Sequence, residues 1–400
     1  MLTLLSHIYR LIWVIRKWLY SSGVLKTRKL PYPVICVGNL TTGGTGKTPA
    51  VIAITKIINN MENNPPIPPF SKGGNRFPHL KRGDNRFPSF LNEGNRFPPL
   101  EKGGKGGFRV AILSRGYKRK SKVPVLLVSD GKTILTTPEA AGDEPYLMAS
   151  SLKNVPVVVG ADRYKSGIYS AEHTGANIFI LDDGYQHLQL HRDINILLID
   201  ASNPYGNGHL LTKGILREPL NGISRADCVI VTRADEGGKS NIETLVRKHS
   251  HDAPVFYASY KAADITDPDG KSYGDNAING KKVFIFSGIA NPKSFRRSIE
   301  NIGGKVVGEI SYTDHYWYKS DDLRKIMKEA SAVSADAVVT TAKDAVRLRG
   351  LVLSEKSGQG TKLLILHVEM DIDEGFAEWI QKRLTRQTIM RRDNKSGMKP

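Results

Sequence analysis

Only two cysteines, Cys36 and Cys228, occur in 400 residues, each among β-branched apolar neighbours. That excludes a disulfide framework and a cysteine-ligated metal centre, and it suits a reducing, cytosolic compartment. Long apolar runs are also missing. The longest, such as residues 11–15, fall far short of the roughly 20 residues that span a bilayer, which excludes a conventional transmembrane protein. Acids are absent from residues 1–30, which hold six Lys or Arg, and nearly absent from 381–400, with seven Lys or Arg against one Asp. Residues 62–107 add eight basic against four acidic side chains, so these peripheral segments carry 16 of the 19 net positive charges. The body is close to neutral. A nucleic-acid binder more often sets its basic stripe on a folded face with aromatics interleaved, so no nucleic-acid partner is expected.

What is present is a globular composition, 40% hydrophobic and 24% charged, in a chain long enough for two or three domains. Residues 1–20 read as an amphipathic helix. Leu4, Leu5, Ile8, Leu11, Ile12, Ile15 and Trp18 are apolar, while Thr3, His7, Arg10 and Lys17 recur on the other side. Trp13, Trp18, Tyr9 and Tyr20 with cationic flanks suit a helix lying in a membrane interface on anionic lipid, and a helix packed on the body is the alternative. A secretory signal is disfavoured, because Arg16 and Lys17 follow the apolar stretch and no small-residue cleavage site does. Asn-Arg-Phe-Pro recurs at 75–78, 85–88 and 95–98, and residues 62–107 hold eight of the 21 prolines. That density opposes both helix and ladder, so 62–107 is expected to be a disordered insertion.

Between and after these segments the rhythm is α/β. Strands are expected at 33–37, 108–113, 155–159, 177–181, 194–199 and 228–232, and most are continuous apolar runs of the kind found in a parallel sheet buried on both faces. From about residue 254 a second series begins, with strands at 255–258, 282–287, 337–340 and 363–368 and helices near 293–302 and 321–332. The expected architecture is a P-loop NTPase-like, mainly parallel sheet domain over 31–250, a smaller α/β domain over 251–380, an N-terminal amphipathic helix with linker over 1–30, and a basic tail over 381–400.

Gly43-Gly44-Thr45-Gly46-Lys47-Thr48 falls between an expected strand and helix. Backbone N–H groups and a helix N-terminus there can cradle phosphate oxygens, with Thr41 and Thr42 leading into the loop. Lys47 is placed to reach the β and γ phosphates and Thr48 to put its hydroxyl on Mg²⁺. The spacing lacks the first glycine of the usual pattern, since Thr41 stands there. Asp182 and Asp183 close a buried strand at its carboxyl end, where α/β sheets bind ligands, and either could hold the metal. The segment at 228–235 ends in Thr-Arg-Ala-Asp, which lacks the Asn and Lys of a guanine-specifying loop. A P-loop GTPase or nucleotide-driven chaperone is the rival reading, and a basic nucleic-acid-associated ATPase a second.

Several ordered motifs together resemble one family, the tetraacyldisaccharide 4'-kinases. They are Gly38-Asn39-Leu40 running into the phosphate loop, Ser114-Arg115-Gly116-Tyr117, Gly142-Asp143-Glu144-Pro145, Asp182-Asp183-Gly184-Tyr185-Gln186-His187, Leu216-Arg217-Glu218-Pro219, Asp314-His315, and residues 341–344. The resemblance covers most of the chain, and 62–107 departs from it. It implies ATP as donor, Mg²⁺, and the 4'-hydroxyl of an acylated glucosamine disaccharide 1-phosphate as acceptor. It also implies a peripheral position on the cytoplasmic face of the inner membrane. It makes Asp143 the candidate base, His315 the partner that orients it, and Asp182 and Asp183 the metal-side acids. Arg115 and Arg217 become candidates for phosphate or transition-state charge, and Tyr117 and Gln186 for the sugar site.

Overall fold

The computed structural model describes residues 2–61, 107–235, 239–352 and 361–396; the repeat insertion lies outside them but for Gly107. Helix α1 (Leu2–Ser21) leads to β1 (Val34–Asn39) and α2 (Lys47–Asn59). Next come β2 (Val110–Ser114), β3 (Val125–Ser129), the short α3 (Pro138–Ala141), α4 (Asp143–Ser151), β4 (Val157–Gly160), α5 (Arg163–Thr174), β5 (Ile178–Asp182), β6 (Ile194–Asp200), β7 (Cys228–Thr232) and α6 (Lys239–His249). The remainder is β8 (Val255–Thr266), β9 (Lys282–Ser287), α7 (Pro292–Asn301), β10 (Lys305–Ser311), α8 (Ser320–Ala332), β11 (Ala337–Thr341), α9 (Ala342–Val352), β12 (Lys362–Ile372) and α10 (Gly375–Ser396).

The strands form one sheet in the order β10-β9-β11-β12-β8-β7-β6-β1-β5-β2-β4-β3. Every residue of β1, β2, β5 and β7 is buried, as continuous apolar runs require. Alternate residues feed opposite faces: Ile112 and Ile180 meet Ile54 and Ile58 of α2, whereas Leu113 and Phe179 meet Ile168 of α5. The pairs are parallel except β3 on β4 and β12 on β8. The second exception divides the sheet. β8 pairs with β7 through residues 255–258 and with β12 through 258–266, and β12 pairs with β11 through 362–366. A two-stranded ribbon therefore joins a parallel stretch β4-to-β8 to a parallel stretch β10-to-β12, and two-stranded ribbons are the most freely twisted form of sheet. Residues after β9 and β11 line the same cleft as the loops after β1, β2 and β5.

Two features differ from expectation. β3 and β10 are additional strands; both lie at the sheet edges, and β10 is mostly half-exposed with a register shift at Gly308, so no uniform apolar run marks it. The basic segment 381–400 is not a tail: α10 carries it as helix to Ser396 and returns it to the first stretch of sheet. There Phe376, Ile380 and Leu384 are fully buried in the α2 core, and Arg391 Nη2 donates to both oxygens of Asp193 at 2.7 Å. Helix α1 buries no residue. It docks through one polar and aromatic face, with Tyr9 donating to the Arg217 carbonyl at 2.7 Å and Ser6 to the Leu210 carbonyl at 3.2 Å. Its apolar stripe faces outward, with Leu4 65% and Trp18 60% exposed.

Candidate active site

β1 is flanked by β5 and β6, the position where the chain's winding changes direction, and the loop after it opens the crevice at the carboxyl ends of the strands. Asn39, the last residue of β1, organises that loop. Its Nδ2 donates to Thr45 Oγ1 at 2.8 Å, and its Oδ1 accepts from Lys47 Nζ at 3.4 Å. The loop's carbonyls are turned toward the body: Thr232 Oγ1 donates to the Thr45 carbonyl at 3.1 Å and Arg233 Nη2 to the Gly44 carbonyl at 2.9 Å. Gly46, at φ 80, is the N-cap of α2, and a Cβ there would meet the Tyr260 hydroxyl, so only glycine fits. Thr41 and Thr42 are held by strand-like contacts to Leu216 and Ile215.

Facing the loop, the two acids at the end of β5, Asp182 within it and Asp183 just after it, have different partners. Asp182 is 3% exposed and accepts from Ser114 Oγ at 2.8 Å. Burial, then repulsion from Glu144 and Asp183, pushes its carboxyl up to about 7. Asp183, at φ 49, takes both oxygens to Arg217 Nη1 at 2.8 Å and lies 3.8 Å from Lys47. Burial would raise its carboxyl, but Lys47 and Arg217 outweigh that and hold it below the usual range. Arg217, expected on the substrate side, thus neutralises Asp183. Gln186 is also engaged, donating to the Asn39 carbonyl and to Glu218 at 2.8 Å. Arg115 and Tyr117 line the cleft and are exposed. Asp182, which lines the cleft together with Thr48, is the kind of donor that Mg²⁺ shares with phosphate oxygens and water, since this ion needs few protein ligands. The donor set fits that ion.

The opposite wall comes from both stretches of sheet. Asp143 begins α4, and His315, at φ 63, follows β10. His315 Nδ1 stands 2.8 Å from Asp143 Oδ2, although 172 positions separate them. Burial would raise the Asp143 carboxyl, but the His315 hydrogen bond, Lys343 and Arg347 more than compensate and hold it below an ordinary aspartate. An ionised carboxylate only accepts, so Nδ1 carries the proton. Arg347 is a residue the sequence reading missed. Its side chain is fully buried, its Nε lies 3.4 Å from Asp143, and its Nη1 donates to the Gly288 and Tyr316 carbonyls. Lys343, one turn earlier on α9, reaches Glu144 at 3.1 Å and Asp314 at 3.5 Å. The i, i+4 spacing of Lys343 and Arg347 was a visible signal that both share a face. Arg163 was missed too; it is 5% exposed and lines the cleft beside Asp182 and Asp183. His187, also in that wall, is pushed down to about 3 by burial first, then by Arg163 and Arg192, and is neutral.

The cleft between these walls has a volume of 1040 Å³, room for a nucleotide and the head of a second substrate. Phosphate is what such a loop holds, and a carboxylate poised across from it is what an incoming hydroxyl needs; fold and site are those of a P-loop phosphotransferase. The sequence profile of the family described as tetraacyldisaccharide-1-P 4'-kinase matches residues 1–67 and 101–385. The chain belongs to this family, the kinases of lipid A biosynthesis. It is 35% identical over 362 residues to the tetraacyldisaccharide 4'-kinase of Syntrophus aciditrophicus, covering 87% of this chain and 84% of that one. To the enzyme of Desulfatibacillum aliphaticivorans it is 34% identical over 388 residues, with 96% and 92% covered. A solved structure described as the "apo" form of LpxK from Aquifex aeolicus in complex with ATP matches with a TM-score of 0.66 and 31% identity, covering 96% of both chains. The GTPase alternative is not favoured: Arg233, where a guanine-reading lysine would stand, is buried against Asp200 and the Gly44 carbonyl.

Proposed function

We propose that the chain transfers the γ-phosphate of ATP to the 4'-hydroxyl of an acylated glucosamine disaccharide 1-phosphate, with Asp143 receiving the hydroxyl proton. The observation that supports this most is the Asp143–His315 pair, in a cleft whose other wall is the loop carrying Lys47. Lys47 and the amides of residues 43–48 hold the phosphates, and Arg115 is placed for charge on the transferred group. Mg²⁺, held by Thr48 and Asp182, would supply charge neutralisation on the phosphate oxygens. Asp183 acts one step back, fixing Lys47 and Arg217. A depressed pKa makes Asp143 a weak base. Phosphoryl transfer passes through a loose transition state that asks mainly for an oriented hydroxyl, and a carboxylate locked by His315 and Arg347 supplies that orientation. Tyr117, edge-on to the His315 ring at a centroid distance of 5.8 Å, borders the acceptor side with Gln186.

The same reading places the enzyme peripherally on the cytoplasmic face of the inner membrane. No helix among the described residues is long and apolar enough to cross a bilayer. The outward apolar stripe of α1 suits the interface plane, with Arg10 and Lys17 near anionic headgroups. It also keeps two units, 31–250 and 251–380, joined by the β8–β12 ribbon. The test is transfer of labelled γ-phosphate from ATP, and separately from GTP, to the disaccharide lipid in mixed micelles with Mg²⁺. Transfer from ATP to the lipid is expected; nucleotide binding without lipid phosphorylation would overturn the reading.

A further inference from the structure

The motif at residues 341–344 runs from the end of β11 into α9, and its acid, Asp344, is left unused by the site described above. Asp344 is fully buried behind the cleft wall to which Lys343 contributes. The two oxygens of its carboxylate do different work. Oδ2 accepts from Thr341 Oγ1 at 2.6 Å, while the Asp344 amide donates back to that hydroxyl at 3.1 Å, and this exchange caps the first turn of α9. A cap needs no more than that.

Oδ1 leaves the helix. It accepts from the Gly288 amide at 2.9 Å and from the Tyr318 hydroxyl at 2.8 Å, and Arg347 Nη2 lies 3.4 Å away. Two of these contacts lead to the Asp143–His315 pair. The Gly288 carbonyl accepts from the His315 amide at 3.2 Å, so the residue that Asp344 anchors holds the His315 backbone. That backbone sits at φ 63, a left-handed conformation that a residue with a Cβ keeps only where its neighbours impose it. Arg347 bridges two carboxylates: Nη2 faces Asp344, and Nε stands 3.4 Å from Asp143 Oδ2. Tyr318 is set edge-on against Tyr312 and Tyr316, at centroid distances of 5.2 and 5.3 Å, so packing holds its hydroxyl on Asp344. Burial, then the Asp344 charge, pushes that hydroxyl up, and it stays a donor.

We infer that Asp344 is a positioning residue for phosphoryl transfer, fixing the direction of the Asp143–His315 pair through Gly288 and Arg347 without touching a substrate. The inference rests on Asp143 receiving the hydroxyl proton. A loose transition state asks mainly for an oriented hydroxyl, so a base that wanders lowers kcat before it alters nucleotide binding.

The test measures Tyr318→Phe and Asp344→Asn in the full chain, with ATP, Mg²⁺ and the disaccharide lipid in mixed micelles. Asp344→Asn takes a buried counter-charge from Arg347 and can cost the fold, so Tyr318→Phe, which keeps every charge, is the deciding variant. Its kcat is expected to fall about tenfold, as for one lost hydrogen bond to a charged acceptor, with KM for ATP within about twofold. In an Asp143→Asn background that further loss should disappear, because both changes act through one group. The low-field proton resonance of His315 Nδ1, identified by its absence from His315→Ala, should shift or broaden in Tyr318→Phe. Parent kcat and an unmoved resonance in Tyr318→Phe, with only the melting temperature lowered, would leave Asp344 as a helix cap and overturn the inference. So would losses that add in the double variant. An Asp143→Asn chain with parent kcat would overturn the base assignment instead, and the resonance would still judge whether Asp344 holds the pair.

Discussion

Asp143 is kept ionised by residues from the far side of the ribbon: His315 at 2.8 Å, Lys343, and Arg347 at 3.4 Å. Its folded pKa lies below the unfolded value of about 3.9, so its contribution to stability is fully present above that value and is lost as pH falls through the lower, folded one. Asp143→Asn should therefore flatten the acid limb of a melting-temperature profile below about pH 4. It should also lower kcat about 10²- to 10⁴-fold with little change in ATP affinity, measured by single-turnover transfer and nucleotide titration. Unchanged kcat would remove Asp143 from the base role. Arg233 acts differently, since one guanidinium spans Asp200 and the Gly44 carbonyl. Arg233→Lys can satisfy one partner but not both. It should raise KM for ATP about tenfold with a smaller change in kcat, because a loosened loop weakens phosphate binding before it alters the chemistry. Of these residues, the phosphate loop was legible in sequence because its parts are contiguous. The Asp143–His315 pair rested on resemblance alone, and Arg347 and Arg233 went unassigned because a side chain that acts through a carbonyl leaves no motif.

At the scale of elements, burial patterns explain which segments could be read. β1, β5 and β7 are buried on both faces and appear as unbroken apolar runs, whereas β10 is mostly half-exposed and broken at Gly308. The lysines and arginines of α10 mask a helix whose buried stripe among the described residues is Phe376, Ile380, Leu384 and Thr388, spaced by four, so charge counting read a tail where packing makes a helix. Helix α1 is the opposite case. Its periodicity was plain, but which face turned inward was not: Ser6, Tyr9 and Trp13 dock, while Leu4, Ile8, Ile12 and Ile15 face out. Because those four side chains are at least 46% exposed, replacing them with serine should leave the melting temperature nearly unchanged. Removing this much apolar surface should cut partitioning onto phosphatidylglycerol vesicles at least about tenfold in a sedimentation assay. Unaltered partitioning would show that the stripe does not meet lipid.

For the whole molecule, the deciding arrangement is that two parallel stretches of sheet, joined by the β8–β12 ribbon, direct their loops into one cleft. The loop after β1 and the N-terminus of α4 come from one stretch, and His315, Lys343 and Arg347 from the other, so the site exists only where the two meet. Sequence order could locate each half but not their apposition, which depends on pairings between β12 and β8 about a hundred residues apart. We expect the repeat segment to be dispensable for this apposition. It enters between Asn59 at the end of α2 and Val110 at the start of β2, and the family profile resumes at residue 101 after leaving 67. Every cleft residue named above lies outside it. Deleting residues 68–100 should therefore preserve kcat and KM within about twofold, since shortening a long connection changes closure entropy only slightly. Parallel measurement of melting temperature separates the outcomes: a deletion variant that melts normally but transfers no phosphate would mean the repeats take part in the reaction, and normal kinetics would leave the two stretches and their ribbon as the complete catalytic frame.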